Sequence, residues 1–160
     1  MTETQPTNKA ELIQRIRADR ARLERVLAKL DDAALEKPGP DGWAVKDHLA
    51  HLAAWSQKAA AGVEGRPAYE GLGLDKSAVG LSEDEINARL QARSHILPAA
   101  QVLAEFRQAN DHILQLIGDL PEAKLFGSKA DERLLGNITG NTYEHDTEHQ
   151  GWIEERLKAA

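Results

Sequence analysis

The residues of this chain best suited to chemistry are two histidines, His145 and His149. Side chains four residues apart on a helix lie roughly 5–6 Å from each other on one face. At that spacing two imidazole nitrogens can reach a single metal ion. Catalytic metal sites usually have three protein ligands and one open position. The pattern therefore predicts a metal site if another part of the chain supplies the third ligand.

Histidines in an earlier predicted helix are the candidates for that ligand. His51 lies among apolar residues that are expected to face the core, and His48 lies one turn before it and competes for the role. Asp47, four residues before His51, is placed either to orient the ring of His51 or to face solvent. The alternative is that these histidines are buried and hydrogen-bonded without any metal.

The segment from His145 to His149 also matches H-x-x-E-H, the pattern of inverted zinc peptidases, in which Glu148 would be the general base. Such peptidases need a further ligand and substrate-binding strands, and no strand pattern is visible. We therefore expect Glu144, Asp146 and Glu148 to form a solvated face. Glu148 and Glu144 remain the candidates for proton transfer.

The three tryptophans are predicted mainly as core residues. Trp55 and Trp152 each lie one turn from a proposed ligand, so they are also candidates for the wall of a pocket, whereas Trp43 is not near one in this pattern. His95 and His112 are expected to be surface or hydrogen-bonded histidines.

Hydrophobic spacing, capping boxes and breaks rich in proline and glycine predict four main helices. The predicted helical segments cover residues 8–30, 43–62, 82–118 with a kink or restart at Pro98, and 135–157. The glycine-rich connection 62–81 is long enough for a lid or the edge of a pocket. We expect an all-α protein, a four-helix bundle in a single domain over residues 1–160, with residues 1–7 frayed.

Composition narrows the function classes. The chain has no cysteine, which excludes disulfides, a thiolate nucleophile and cysteine ligands. Its net charge is −6 and no basic patch stands out, so we expect no nucleic acid partner. Apolar runs are shorter than the roughly 18 residues of a membrane span, and no signal peptide pattern is present. We therefore expect a cytoplasmic protein with no membrane partner.

Two segments resemble motifs of the DinB-like superfamily. Residues 42–52, GWAVKDHLAHL, are similar to the motif in its second helix, and residues 141–149, NTYEHDTEH, to the histidine pair in its last helix. Within the superfamily the chain is most similar to the ClbS/DfsB-type four-helix proteins. The resemblance implies an up-up-down-down bundle with His51, His145 and His149 as metal ligands, and it favours His51 over His48.

The resemblance also implies a divalent metal such as zinc, nickel or iron, and a homodimer. Family activities include hydrolysis of reactive small molecules and transfer or isomerisation with a low-molecular-weight thiol such as mycothiol, bacillithiol or glutathione. Three neutral histidines would leave an open position for water or for a thiol cosubstrate. We expect a metal-dependent hydrolase or thiol transferase acting on a small-molecule substrate. The alternatives are a non-catalytic metal- or ligand-binding bundle in stress or toxin resistance, and a structural homodimer without metal.

Overall fold

The computed structural model describes residues 4–159, without the side chains of residues 157 and 159. Its helices are α1 (Lys9–Leu27), α2 (Asp32–Glu36), α3 (Val45–Glu64), α4 (Ala68–Gly71), α5 (Glu83–His95), α6 (Ala99–Asp119), α7 (Glu122–Leu125), α8 (Glu132–Gly140) and α9 (Tyr143–Ala159), with a 3-10 turn at Lys76–Ala78. Residues 4–159 contain no strand, which confirms the all-α prediction. No helix in this range is long and apolar enough to cross a membrane.

The helix starts predicted at Asn8 and Ser82 are confirmed. Asn8 Oδ1 accepts a hydrogen bond from the N–H of Glu11 at 2.8 Å. Ser82 and Glu85 exchange two such bonds, each side chain accepting from the other residue's N–H. Pro98 starts a new helix, α6, rather than kinking α5. Of the segment 1–7 that was predicted to fray, residues 1–3 lie outside the described residues.

The long helices α1, α3, α6 and α9 form the bundle, and side-chain contacts give their relative directions. Near one end of α1, Glu24 pairs with Arg107 of α6. Near the other end, Lys9 Nζ donates to the carbonyls of Gly118 and Leu120. Helices α1 and α6 are therefore antiparallel.

Helices α3 and α6 run in the same direction. Lys46, at the start of α3, donates from Nζ to the carbonyl of Leu97 just before α6. Further along both helices, Gln57 Oε1 lies 2.8 Å from His112 Nδ1. The chain must therefore return along the bundle between α3 and α6, which residues 65–98 accomplish.

Helix α9 runs parallel to α1. The guanidinium of Arg15 lies over the ring of Tyr143, and one turn along both helices Thr147 Oγ1 donates to Asp19 Oδ1. In chain order the four long helices run up, down, down, up, so the up-up-down-down order implied by the resemblance is wrong. The reason lies in the connections between the long helices. Residues 65–98 run the length of the bundle, so α6 starts at the same end as α3, whereas the other connections turn at one end and give antiparallel neighbours in sequence.

Helix α3 is the central element, buried along most of its length. Its small side chains let the neighbouring helices approach closely, and the buried alanines are Ala50, Ala53, Ala54, Ala59, Ala60 and Ala61. At Gly71 of α4, an added Cβ would lie 2.5 Å from the carbonyl oxygen of Gln57 and 2.7 Å from Lys58 Cα. This close approach holds the returning segment against α3.

The returning segment forms a layer over α3. Helix α5 is tied to α3 by Ser94 Oγ, which donates to Asp47 Oδ1 at 2.6 Å, and by Trp55 Nε1, which donates to Asn87 Oδ1 at 3.1 Å. Residues of the 62–81 connection line a cavity beside Trp55. The connection therefore lies at the edge of this cavity, and its role as a lid or as the edge of the functional pocket stays a prediction.

The single last helix predicted over residues 135–157 is wrong, because the structure breaks it into α8 and α9 at Asn141 and Thr142. Side chains at the break bond to backbone carbonyls one turn back. Asn141 Nδ2 donates to the carbonyl of Asn137, and Thr142 Oγ1 donates to that of Ile138, both at 2.7 Å. Such side-chain bonds compete with continuous helical hydrogen bonding.

Candidate metal centre

His51 of α3 faces His145 and His149 of α9 inside the bundle. His51 Nε2 and His145 Nε2 are 3.0 Å apart. The three ring centroids are separated by 4.5 Å, 4.6 Å and 4.8 Å. One candidate ligand nitrogen from each histidine lies within 4.8 Å of the others. The structure thus brings together the three residues that the sequence nominated as metal ligands.

Burial keeps these imidazoles neutral. It is the main cause that lowers the pKa of His51 to about 3 and that of His149 to about 2, with further lowering by the neighbouring histidines. Burial also lowers the pKa of His145 and of His48. Neutral imidazoles offer a free lone pair at neutral pH, which is the state that a metal ligand needs.

The donor set fits a divalent ion. Two nitrogens bound to one tetrahedral zinc ion at about 2.0–2.1 Å are separated by about 3.3 Å. The 3.0 Å between the Nε2 atoms of His51 and His145 is close to that value. Imidazole suits zinc, nickel and iron alike. The residues that would hold the ion are His51, His145 and His149.

His48 is the fourth histidine at this site, and its side chain is buried. Its Nδ1 lies 2.9 Å from Nδ1 of His149. With Nδ1 of His149 engaged in that bond, Nε2 is the nitrogen left free on His149. His48 therefore contacts a proposed ligand rather than replacing His51 in the cluster.

The histidines open onto a cavity of about 350 Å³. Its other lining residues come from the segment before α3, from α5 and from α9, and they are Asp41, Trp43, Glu83, Asn87, Glu148 and Trp152. Trp43 was predicted as a core residue, and this is wrong, since its ring lies 5.2 Å from that of His48 at the cavity wall. Trp152 was also placed mainly in the core, and its exposed fraction is 48%.

Sequence reasoning missed three of the lining residues, Asp41, Glu83 and Asn87. No motif marks them, and the only signal is that Glu83 and Asn87 lie four residues apart on α5. Together with Glu148, they give the cavity three carboxylates, from Asp41, Glu83 and Glu148. Asp41 is paired with Arg156 at 3.2 Å. The surroundings of the histidines are therefore acidic.

Of the remaining predicted site residues, one lines the cavity and the others do not. Glu148 lines the cavity, whereas Glu144 is not among its lining residues. Trp55 lies behind the site, with its ring 6.0 Å from that of His51 and 6.4 Å from that of His145. Asp47 does not orient His51, because its carboxylate accepts from the N–H of Ala44 and from Ser94 Oγ instead.

Asp146, predicted to be solvated, is buried, and that prediction is wrong. It pairs with Arg20 of α1 at 3.2 Å, and the guanidinium of Arg20 also lies 3.9 Å from the centre of the Phe106 ring. Burial raises the pKa of Asp146 to about 7 and also raises that of Asp19 beside it. This polar group lies between α1 and α9 and fixes the helix that carries His145 and His149.

Comparisons with known proteins identify the family and the fold. The sequence model of the DinB superfamily matches residues 15–153. No curated protein matches the chain. Among solved structures, the colibactin self-resistance protein ClbS in complex with a dsDNA matches over 97% of this chain and 98% of its own, with a TM-score of 0.73 and 18% identity. The likeness at that identity is one of fold.

The ClbS structure overturns one expectation from the sequence. We predicted no nucleic acid partner from the net charge of −6 and the lack of a basic patch. That prediction is wrong as an inference for this fold, because a protein that shares the fold over nearly its full length was crystallised with double-stranded DNA. Net charge of a whole chain does not report what a local surface binds.

Proposed function

The chain belongs to the DinB superfamily, and we propose that it is a divalent-metal-dependent enzyme acting on a small molecule, with hydrolysis as the leading reaction. The observation that carries this proposal is the group of three neutral histidines, two buried and one half-buried, that opens onto a cavity of about 350 Å³. Three protein ligands with access from a cavity are the arrangement typical of a catalytic metal. The ligands we assign are His51, His145 and His149.

A divalent ion held there would act as a Lewis acid and would lower the pKa of a bound water or thiol. The protein supplies the surroundings of that chemistry. Glu148 lines the cavity and is the carboxylate that we assign to accept a proton from the attacking group. Trp43 and Trp152 line the sides of the cavity.

The acidic surroundings favour water over a thiol that carries carboxylates. Asp41, Glu83 and Glu148 line the cavity, and Asp41 is paired with Arg156. Because like charges repel, Glu83 and Glu148 weaken the approach of the carboxylates of a thiol such as glutathione, although a bound ion would attract its sulfur. A low-molecular-weight thiol cosubstrate without net negative charge remains compatible with the same site. We therefore place hydrolase first and thiol transferase second.

The metal assignment is tested by metal content after purification without an affinity tag. We expect about one equivalent of zinc, nickel or iron in the wild type and its loss in His51→Ala and in His149→Ala. His112→Ala is the matched control, because His112 bonds Gln57 away from the cluster. Loss of metal in the control alone, or absence of metal from the wild type after loading with each ion, would contradict the proposal.

The reaction is tested with metal-loaded protein and neutral esters, amides and epoxides. We expect turnover that Glu148→Gln reduces while the metal stays bound, since the amide cannot accept the proton. Thiol-dependent turnover with no hydrolysis would select the transferase instead.

Non-catalytic binding in resistance is a second candidate, favoured by the fold that the chain shares with the self-resistance protein ClbS. It predicts stoichiometric binding of a toxic compound without turnover. The dsDNA in the ClbS crystal adds duplex DNA to the ligands to be tested. A DNA complex would be recognised by affinity that falls as the salt concentration rises.

A further inference from the structure

A second cavity, which we call the Trp55 groove, lies directly behind the histidine cluster. It has a volume of about 390 Å³ and is lined by side chains of α3 and of the returning segment. Most of them are apolar or aromatic, including Trp55, Tyr69, Leu72, Val79 and Ile86. Val79 is 67% exposed, so a ligand can reach it from solvent.

The Trp55 groove adjoins the metal cavity, because Glu83 lines both. Trp55 lines the groove, and its ring lies 6.0 Å from the ring of His51. Its Nε1 donates to Asn87 Oδ1, and Asn87 lines the metal cavity. A single molecule that passes over the edge formed by Glu83 and Asn87 would occupy both cavities.

The two cavities differ in charge. Around the histidines the carboxylates come from Asp41, Glu83 and Glu148. In the Trp55 groove the charged lining residues are Lys58 and Glu83, which have opposite signs, and the Lys58 ammonium lies 4.8 Å from the centre of the Trp55 ring. A bound ion and the carboxylates would favour a polar group at the metal cavity, whereas an alkyl or aryl group gains free energy from burial in the groove.

From this arrangement we propose that the substrate is an amphiphilic small molecule. Its polar, reacting group lies at the three histidines, and its alkyl or aryl portion lies in the Trp55 groove. The proposal rests on the proposed function for the position of the reacting group, and it adds the class of substrate. Trp55 and Val79 are the residues that would select the apolar portion.

A series of alkyl hydroxamates tests the proposal by binding alone. Hydroxamates chelate divalent metals, so acetohydroxamate measures the metal site, and butano-, hexano- and octanohydroxamate add methylenes that can reach the groove. Calorimetry on the zinc-loaded protein should show affinity that rises about two- to fourfold per added methylene. Val79→Asp should abolish most of this rise. Ile96→Asp is the matched control, because Ile96 is an equally accessible aliphatic residue, 80% exposed, that is not among the groove-lining residues.

The outcomes separate the two proposals. If acetohydroxamate binds but longer chains bind no better, or if Val79→Asp keeps the full chain-length gain, the substrate class is wrong while the metal site stands. If acetohydroxamate does not bind, octanamide is added to the metal-free protein and the fluorescence of the tryptophans is followed. If octanamide binds and Val79→Asp weakens that binding, the result supports the Trp55 groove as a ligand site and contradicts the proposed metal site. If octanamide does not bind either, both proposals are overturned.

Discussion

Replacing His149 by glutamine should remove a defined part of the pH dependence of stability in the metal-free protein. In the folded wild type, burial and the neighbouring histidines lower the pKa of His149 to about 2. In the unfolded chain a histidine has a pKa of about 6.5. As the pH falls below 6.5, only the unfolded chain takes up a proton at this position, so the free energy of unfolding decreases.

The size of the effect follows from these two pKa values. Each pH unit between them is worth about 1.4 kcal/mol. Between pH 6.5 and pH 5 the wild type should therefore lose about 2 kcal/mol through His149. The contribution is fully present above pH 6.5 and continues to fall until the pH nears the folded pKa. His149→Gln has no titrating group there, so it should lack this loss.

Urea unfolding at pH 7 and pH 5, after removal of metal with EDTA, measures the difference. Comparing wild type with His149→Gln cancels the other titrating groups, including Asp146. The raised pKa of Asp146 acts in the opposite sense, because a carboxyl that is protonated more readily in the folded state stabilises the protein as the pH falls through 7. If both proteins lost the same stability between pH 7 and pH 5, His149 would not be a buried neutral imidazole, and the neutral ligand set would be refuted.

Two further predictions concern the free energy of unfolding and are measured by urea unfolding. Arg20→Met leaves the carboxylate of Asp146 buried without its partner, so it should cost about 3–5 kcal/mol at pH 8 and less at pH 5, where that carboxyl is protonated. A double variant that also carries Asp146→Asn should recover most of this loss, and no recovery would contradict the assigned ion pair. Gly71→Ala should cost about 1–3 kcal/mol, because its Cβ would meet the carbonyl of Gln57. Gly151→Ala on α9 has open space around its Cβ and should gain about 0.5–1 kcal/mol. Equal effects of the two substitutions would contradict the close approach of α4 to α3.

The part of the site that sequence could predict is the part with local periodicity. His145 and His149 lie four residues apart on one helical face, and His51 lies among residues whose apolar neighbours predict the inner face of α3. These relations hold within single helices, and helical geometry alone places the side chains. The all-α fold was predictable for the same reason, since α1, α3 and α6 each carry an apolar stripe.

What sequence could not predict depends on partners far along the chain. Asp146 was assigned to solvent because its neighbours Glu144 and Glu148 are polar, but its partner Arg20 lies on another helix. The spacing of Asp47 and His51 allowed a hydrogen bond between them, but the carboxylate of Asp47 accepts a hydrogen bond from the N–H of Ala44 instead. The order of helix directions depends on which connection travels back along the bundle, and spacing within a helix carries no information about that.

The histidines are divided unequally between two helices that differ in burial. His51 is on α3, which is enclosed by neighbouring elements along most of its length, whereas His145 and His149 share α9, which has Trp152 and Glu148 on its exposed side. A bundle of this kind can open locally, one peripheral helix at a time, without unfolding as a whole. Two of the three proposed ligands would leave together when α9 separates from α3. The residence time of a bound ion would then be set by the opening rate of α9, and the contact of Arg20 with Asp146, which holds α9 to α1, would control that rate from outside the coordination shell.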